Sequence, residues 1–440
     1  MNKDAELAIR IPDSEKPRVV IIGGGFAGIN LAKTISTKHI QVVMVDRNNY
    51  HTFQPLLYQV ATAGLEPDSI AGPLRKILES DNEFYFRMAQ VTGIDPDNHL
   101  VKTSVADLHY DYLVIASGSR TNYFGQKQIE KLAFPLKQIP HALDLRSHIL
   151  QNFEKAVMTN HEETHQSLMN FVVVGGGPTG VEVSGALGEL KLHVLPKDYP
   201  DLDFRRMEIY LIEGLPRLLN GMSESAGQMA YKYLKRFDVN VHISKLVTAY
   251  DGKIVSLSDG SKIPSQTLIW AAGVTGNLIE GLGEDSISHN RIRVDEINRV
   301  VGHENIFAIG DIATMETEEY PQGHPMLASV ACQQGTRLGK NLLKLIKNQA
   351  PTNFKYWDKG TMATIGRNRA VVDLSNKIKF GGLFAWFIWM FVHLILLVGY
   401  RNRLVVLSNW MWNYFTYDRG TRLIIRPFVR KTKTKKANQI

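Results

Sequence analysis

Two uninterrupted apolar runs rich in β-branched residues stand out along the chain, Val19-Val20-Ile21-Ile22 and Phe171-Val172-Val173-Val174. Apolar residues that follow one another without alternation predict strands buried on both faces. Each run passes into glycines, Gly23-Gly24-Gly25-Phe26-Ala27-Gly28 and Gly175-Gly176-Gly177-Pro178-Thr179-Gly180, and then into a stretch of helical character. In both places a second apolar strand ends in an acid: Gln41-Val42-Val43-Met44-Val45-Asp46 and Ile209-Tyr210-Leu211-Ile212-Glu213. A third strand runs into a small-residue turn, Tyr112-Leu113-Val114-Ile115-Ala116-Ser117-Gly118 and Thr267-Leu268-Ile269-Trp270-Ala271-Ala272-Gly273-Val274. Three matches in the same order imply an internal duplication of one βαβ-based unit, over residues 18–140 and 168–280. The acid follows at a longer interval in the second copy. An insertion around His193 to Asp203, carrying Pro196 and Pro200, absorbs the difference.

The spacing gives each glycine a task. Gly23 and Gly175 permit the tight turn, Gly25 and Gly177 let the backbone approach a pyrophosphate, and Gly28 and Gly180 let helix and strand pack closely. The helix N-terminus attracts the phosphate charge. Phe26, Ala27 and Thr179 lie on the same turns, while Asp46 and Glu213 stand where an acid binds a ribose hydroxyl pair. Two such motifs mean two dinucleotides held at once, with electrons passing between them. A later strand, Asn305-Ile306-Phe307-Ala308-Ile309-Gly310-Asp311, delivers Gly310 and Asp311 to a loop, where they can bond the ribityl or phosphate part of a flavin. A strand-end aspartate in an ordinary turn has the same appearance.

The pattern changes near the end. Phe380 to Tyr400 contains no Lys, Arg, Asp or Glu and is apolar around every helical face, which predicts a buried or lipid-embedded helix. Leu404 to Tyr417 comes next with Trp410, Trp412, Tyr414, Phe415 and Tyr417, aromatics suited to a membrane–water boundary. By hydropathy alone the first run is long enough to span. A helical hairpin lying in one leaflet and a core or dimer-interface helix pair are the alternatives.

Composition and charge narrow the chemistry. The net charge is +8, but eight basic residues against the single acid Asp418 fall between Tyr417 and Ile440. The remainder is nearly neutral, so nucleic acid is not the expected partner; the tail suits anionic lipid headgroups. The lone Cys332 excludes disulfide reduction or sulfide oxidation by a redox cysteine pair, and zinc held by several thiolates. No metal site is expected. Met1 to Lys16 has no apolar signal core and is too acidic for a transit peptide, so the catalytic part is expected to stay in the compartment where it is made.

The chain resembles the type II NADH:quinone oxidoreductases, single-subunit NADH dehydrogenases that do not pump protons. The resemblance covers nearly the whole chain. It rests on Ile22 to Gly28, His51-Thr52-Phe53-Gln54-Pro55-Leu56-Leu57-Tyr58, Gly177-Pro178-Thr179-Gly180-Val181-Glu182, Trp270 to Val274, Ala308 to Asp311 and the aromatic C-terminal region. It implies an α/β fold of two Rossmann-like dinucleotide-binding domains, the two-dinucleotide flavoprotein fold, with a C-terminal helical membrane anchor. FAD would occupy residues 1–140 and 286–350, NADH residues 141–285, and residues 351–440 would anchor the protein. Asp46 would hold the adenosine ribose of FAD, and Asp311 would face the flavin's sugar-phosphate chain. Glu213 would hold the NADH ribose and disfavour a 2′-phosphate, a preference that the nearby Arg217 weakens. Glu182 would lie near the flavin–nicotinamide contact and assist proton delivery to quinone; a helix-start acid complementing the macrodipole reads the same.

The family's quinone pattern, roughly Ala-Gln-x-Ala-x-Gln, appears here as Ala328-Ser329-Val330-Ala331-Cys332-Gln333, with Gln334 directly after it. Ser329 replaces the first glutamine, and the Gln333 amide is expected to reach a quinone carbonyl or the flavin edge. The implied function is two-electron transfer from NADH through FAD to a membrane quinone, at the cytoplasmic face of a bacterial inner membrane. The protein would be peripheral or monotopic there. The alternatives are an NADH-dependent reductase with a protein or dye acceptor, and a flavoprotein sensor without turnover. The resemblance also suggests a homodimer, for which no periodic interface is visible.

Overall fold

The computed structural model describes residues 8–35, 39–78, 83–374 and 378–430. They form two compact units. The first gathers the chain up to Thr52, Ala71–Asn122 and Val274–Lys359; the second gathers Phe53–Ile70, Tyr123–Gly273 and the chain from Gly360 onward.

The first unit is built on a five-stranded, all-parallel sheet in the order Ile306–Ala308, Tyr112–Ile115, Arg18–Ile22, Gln41–Asp46, Phe84–Met88. Arg18–Ile22 is central, with Val20 opposite both Val43 and Leu113. Its apolar residues alternate between two cores: Val20 and Ile22 enter one cluster, Val19 and Ile21 the other. That two-sided burial is why the run shows no polar alternation. Helix Phe26–Thr34 continues from the central strand and packs along helix Ala328–Ile346.

The second unit repeats the plan with a parallel sheet in the order Phe134–Pro135, Thr267–Trp270, Phe171–Val174, Ile209–Ile212, Val239–His242. All four residues of Phe171–Val174 and of Thr267–Trp270 are buried. The longer route to Glu213 is taken up by helical extension. Helix Pro178–Glu189 continues through a π-helical turn, Leu190–Val194, and a short helix, Leu195–Asp198. An antiparallel sheet, Thr361–Thr364, Ala370–Leu374 and Ile378–Gly382, leads to helices Leu383–Leu396 and Tyr400–Thr416.

Two expectations about the C-terminal region are corrected. The charge-free run from Phe380 to Tyr400 is not one helix. Its first residues pair as a strand with Ala370–Val372, and two glycines at φ +89°, Gly382 and Gly399, bracket the helical part. The helix between them has 14 residues, about 21 Å against the ~30 Å of a hydrocarbon core. No helix among the described residues is long and apolar enough to cross a membrane.

The basic tail is also partly internal. Arg419 pairs with Glu189 at 2.8 Å, Arg422 with Asp198, and Arg426 with Asp144. Arg430 donates to the Leu132 carbonyl and lies over the Phe134 ring. The main chain of Phe428 exchanges two hydrogen bonds with Gln151, and its ring packs on Phe134 and His148. These four arginines therefore strap the chain onto its own unit. Lys431, Lys433, Lys435 and Lys436 lie outside the described residues.

Candidate active site

In the first turn Gly23 adopts φ +107°, a left-handed conformation open to glycine. Its N–H donates to Val45 O at 2.8 Å, and Ala116 N–H donates to Ile22 O at 2.8 Å, so the turn hangs from both neighbouring strands. A Cβ on Gly28 would lie 2.0 Å from Gly23 O, which only glycine avoids. Helix Phe26–Thr34 begins at Gly25 without a side-chain cap, and a Cβ on Gly25 would meet nothing within 4 Å. Uncapped N–H donors beside open space fit the pyrophosphate of a dinucleotide. Asp46 closes the turn: its two carboxylate oxygens accept from Gly24 N–H and Asn48 N–H, each at 2.7 Å. Burial raises its pKa against those two bonds.

His51, from the His51–Tyr58 stretch, supports this loop from below. Burial pushes its imidazole down to about 4, so it is neutral and its Nδ1–H donates to Gly24 O at 3.1 Å. Its ring meets Phe26 edge-on.

The second turn reproduces the first. Gly175 has φ +107°, its N–H donates to Ile212 O at 2.8 Å, and Ala271 N–H donates to Val174 O at 2.8 Å. A Cβ on Gly180 would lie 1.8 Å from Gly175 O, and one on Gly177 would meet nothing within 4 Å. Glu213 accepts from Gly176 N–H and, at 2.7 Å, from Leu215 N–H. Thr179 is exposed on the first turn of the helix. Ala272 and Gly273, the latter at φ +140°, come just after strand Thr267–Trp270. Arg217 turns its guanidinium to Met222 O and Asn220 O, at 2.9 and 2.8 Å, and holds the loop after Glu213.

In the first unit, Ser117 Oγ donates to Asn277 O at 2.8 Å and Gly118 O accepts from Asn277 N–H. The Asp311 carboxylate accepts from Ser119 Oγ, and its carbonyl accepts from the buried Arg291. Gln334, almost wholly buried, accepts from Gly310 N–H at 2.7 Å and so fixes the Gly310-Asp311 turn, where Gly310 has φ +76°. Gln333 does not present a free amide. Its nitrogen donates to Trp357 O at 2.9 Å and its oxygen accepts from Trp357 N–H at 3.0 Å. As folded, it clamps the segment after helix Ala328–Ile346. Ser329 pairs with the Tyr356 hydroxyl at 2.9 Å.

Glu182 stands apart from these fixtures. It is 7% exposed, and its carboxyl receives one long hydrogen bond, from Thr364 N–H at 3.4 Å. The Trp389 indole leans toward it without completing a hydrogen bond. No ion pair neutralises it among the described residues. Burial therefore dominates and raises its pKa to about 8, so it carries a proton at neutral pH. His393 stacks on Trp389 with ring centroids 4.1 Å apart, and burial lowers its pKa to about 4. Tyr58, Gln59, Trp389 and Trp410 converge within this same unit. The sequence alone places Tyr58 in a motif and Trp410 among boundary aromatics; only the fold brings the four to Glu182's neighbourhood.

These features define a class. Residues 17–335 match the family described as pyridine nucleotide-disulphide oxidoreductase, and residues 358–417 match the NDH2 C-terminal domain. Two Mycobacterium tuberculosis proteins named type II NADH:quinone oxidoreductase, Ndh and NdhA, are 33% and 36% identical to this chain. The first match covers 93% of this chain and 91% of the relative, the second 92% and 89%. The structure of NDH2 from Plasmodium falciparum in complex with NADH shares the fold, with a TM-score of 0.87 at 22% identity over 94% of this chain and 100% of that one. The chain belongs to the type II NADH:quinone oxidoreductases, enzymes that oxidise NADH with a quinone.

Proposed function

We propose that this protein passes two electrons from NADH through FAD to a membrane quinone, without pumping protons, and so feeds a respiratory chain. The carrying observation is the pair of uncapped glycine turns, each closed by its own acid. We assign FAD to the first turn, with Asp46 at its adenosine ribose, and NADH to the second, with Glu213 at its ribose. FAD, when bound, supplies the ability to accept a hydride and release electrons to a second substrate. The chain's residues supply the rest. Gly25 and Gly177 admit the pyrophosphates, Gln334 holds the Gly310-Asp311 turn in place, and Glu182 holds a proton ready in a dry site. Because Arg217 is committed to two carbonyls, the carboxylate of Glu213 is left to repel a 2′-phosphate, which favours NADH over NADPH.

Membrane contact is assigned to the C-terminal helices. Phe384, Phe387, Phe391 and Ile395 are exposed on Leu383–Leu396, and Trp412 and Phe415 on Tyr400–Thr416. An apolar face of this kind suits in-plane seating at the cytoplasmic surface of a bacterial inner membrane. Stopped-flow mixing of the FAD-loaded protein with NADH, then with a soluble quinone, tests the reading. Flavin absorbance should bleach and then recover; a bleached flavin that quinone leaves unoxidised refutes it.

A further inference from the structure

We propose that the Tyr58 hydroxyl donates the hydrogen bond that receives the quinone carbonyl oxygen, a role that rests on the quinone-reductase reading above. Trp410 Nε1–H donates to Gln59 Oε1 at 2.8 Å. An indole nitrogen is a donor only, so the orientation of the Gln59 amide is fixed by chemistry. Its nitrogen must face the other way, where it donates to Tyr58 Oη at 2.9 Å. With that lone pair filled, the tyrosine's own hydrogen points onward. It finds no acceptor among the described residues.

Tyr58 is 6% exposed. A buried hydroxyl left without an acceptor is unfavourable, and here Gln59 and Trp410 are arranged to keep it so. The helix that carries it, Leu57–Ala61, packs against Pro178–Glu189, the helix of Glu182. The titratable groups acting on the hydroxyl are Glu182, protonated at neutral pH, and Glu189 from that helix and Arg419 from the C-terminal strap. Burial above all holds the phenol's pKa well above its ordinary value, so it stays protonated.

A quinone carbonyl is an acceptor without a donor, and its oxygen gains negative charge as electrons arrive. A neutral O–H already in position stabilises that charge without reorganising. The balance is NADH + H⁺ + quinone → NAD⁺ + quinol. Tyr58 keeps its proton throughout, Glu182 supplies one and is reprotonated from solvent. Gln59 and Trp410 are positioning residues, acting only through the tyrosine.

The test uses the full-length, FAD-loaded protein with NADH and a soluble short-chain ubiquinone, each half-reaction followed by stopped flow. Tyr58→Phe should slow flavin reoxidation by quinone about 100–1,000-fold, while bleaching by NADH stays within about twofold. Gln59→Glu is the sharper variant. It keeps the bond from Trp410, but an ionised carboxylate would present an acceptor to Tyr58 and draw its hydrogen away. It should reproduce the loss with Tyr58 still in place, increasingly as pH rises through ionisation of the new carboxyl. Reoxidation of Gln59→Glu at the wild-type rate across that pH range overturns the inference. So does a Tyr58→Phe variant that slows bleaching and reoxidation equally. Reoxidation of wild-type flavin by ferricyanide but not by quinone overturns the quinone reading itself, whatever Tyr58 does.

Discussion

The two glycine turns share one construction, down to the carbonyl that hangs each turn and the acid that closes it. They part at equivalent places on their helices. In the first copy the position is Asn30, whose amide donates to Phe26 O at 2.8 Å and rests on Cys332 Sγ at 3.3 Å. In the second it is Glu182, buried with one long bond and a pKa near 8. The duplicated frame is therefore indifferent to what this position carries. One copy fills it with a satisfied amide and the other with a poorly solvated acid. The turn's geometry is set locally, whereas the protonation of Glu182 is set by the later chain that packs over the helix.

The third glycines carry the largest expected effects. Gly28→Ala and Gly180→Ala each place a methyl within 2.0 Å of a carbonyl oxygen, a clash that demands backbone movement. Their readouts should differ. Gly28→Ala is expected to purify without yellow colour. Gly180→Ala should retain FAD but lose bleaching by NADH by at least about 100-fold, as several kcal/mol of binding disappear. The reverse pattern in absorbance spectra would exchange the two sites.

Next comes the position where the copies differ. Glu182→Gln should slow quinone-driven reoxidation by about 10²–10⁴, the usual worth of a positioned acid, with NADH bleaching much less affected. Asn30→Ser, its counterpart, should change either half-reaction by less than about threefold. Equal losses in the two variants would mean that Glu182 is a packing residue.

The first half of this contrast was legible in the sequence and the second was not, for a physical reason. Gly28 and Asp46 are dictated by contacts within a few dozen residues and Gly23 by its own positive φ, constraints that act on residue type directly. The environment of Glu182 is made by Thr364 and Trp389, which the chain supplies much later. No local pattern encodes that meeting. Gln333 illustrates the same limit, since its pairing with the Trp357 main chain depends on where residues 351–360 return. The break in the apolar run had a signal, in Gly382 and Gly399. Hydropathy does not weigh a glycine's freedom to adopt positive φ, so a single long helix was the natural expectation.

Glu182 also makes stability depend on pH, and Asn30 cannot. Its folded pKa of about 8 lies above the ordinary 4.5, so the folded state binds more protons than the unfolded state between those values. Its contribution is fully present below about 4.5 and is lost as pH rises to about 8, on the order of a few kcal/mol. Wild-type Tm should fall across that window. Glu182→Gln should flatten the fall, so the variant gains on the wild type toward pH 9 in a thermal-shift series. A variant that tracks the wild type at every pH would place the carboxyl in contact with water.

The smallest effects test the closing acids, where the copies agree in geometry but face different chemistry. The adenosine ribose of FAD carries no 2′-phosphate to reject, so Asp46→Asn should cost FAD retention alone. Glu213→Ala should instead raise NADPH turnover relative to NADH by about tenfold, since near 1.4 kcal/mol of charge repulsion is relieved. Arg217 decides whether that repulsion acts alone. Its two bonds to Met222 O and Asn220 O keep the guanidinium on the loop. Arg217→Ala should therefore leave the NADPH/NADH ratio within about twofold while lowering Tm by a few degrees, about 1 kcal/mol of lost bonding. A ratio that drops sharply would mean that Arg217 leaves its carbonyls to meet the phosphate, and the second turn would then be selective through a movable cation rather than through its closing acid.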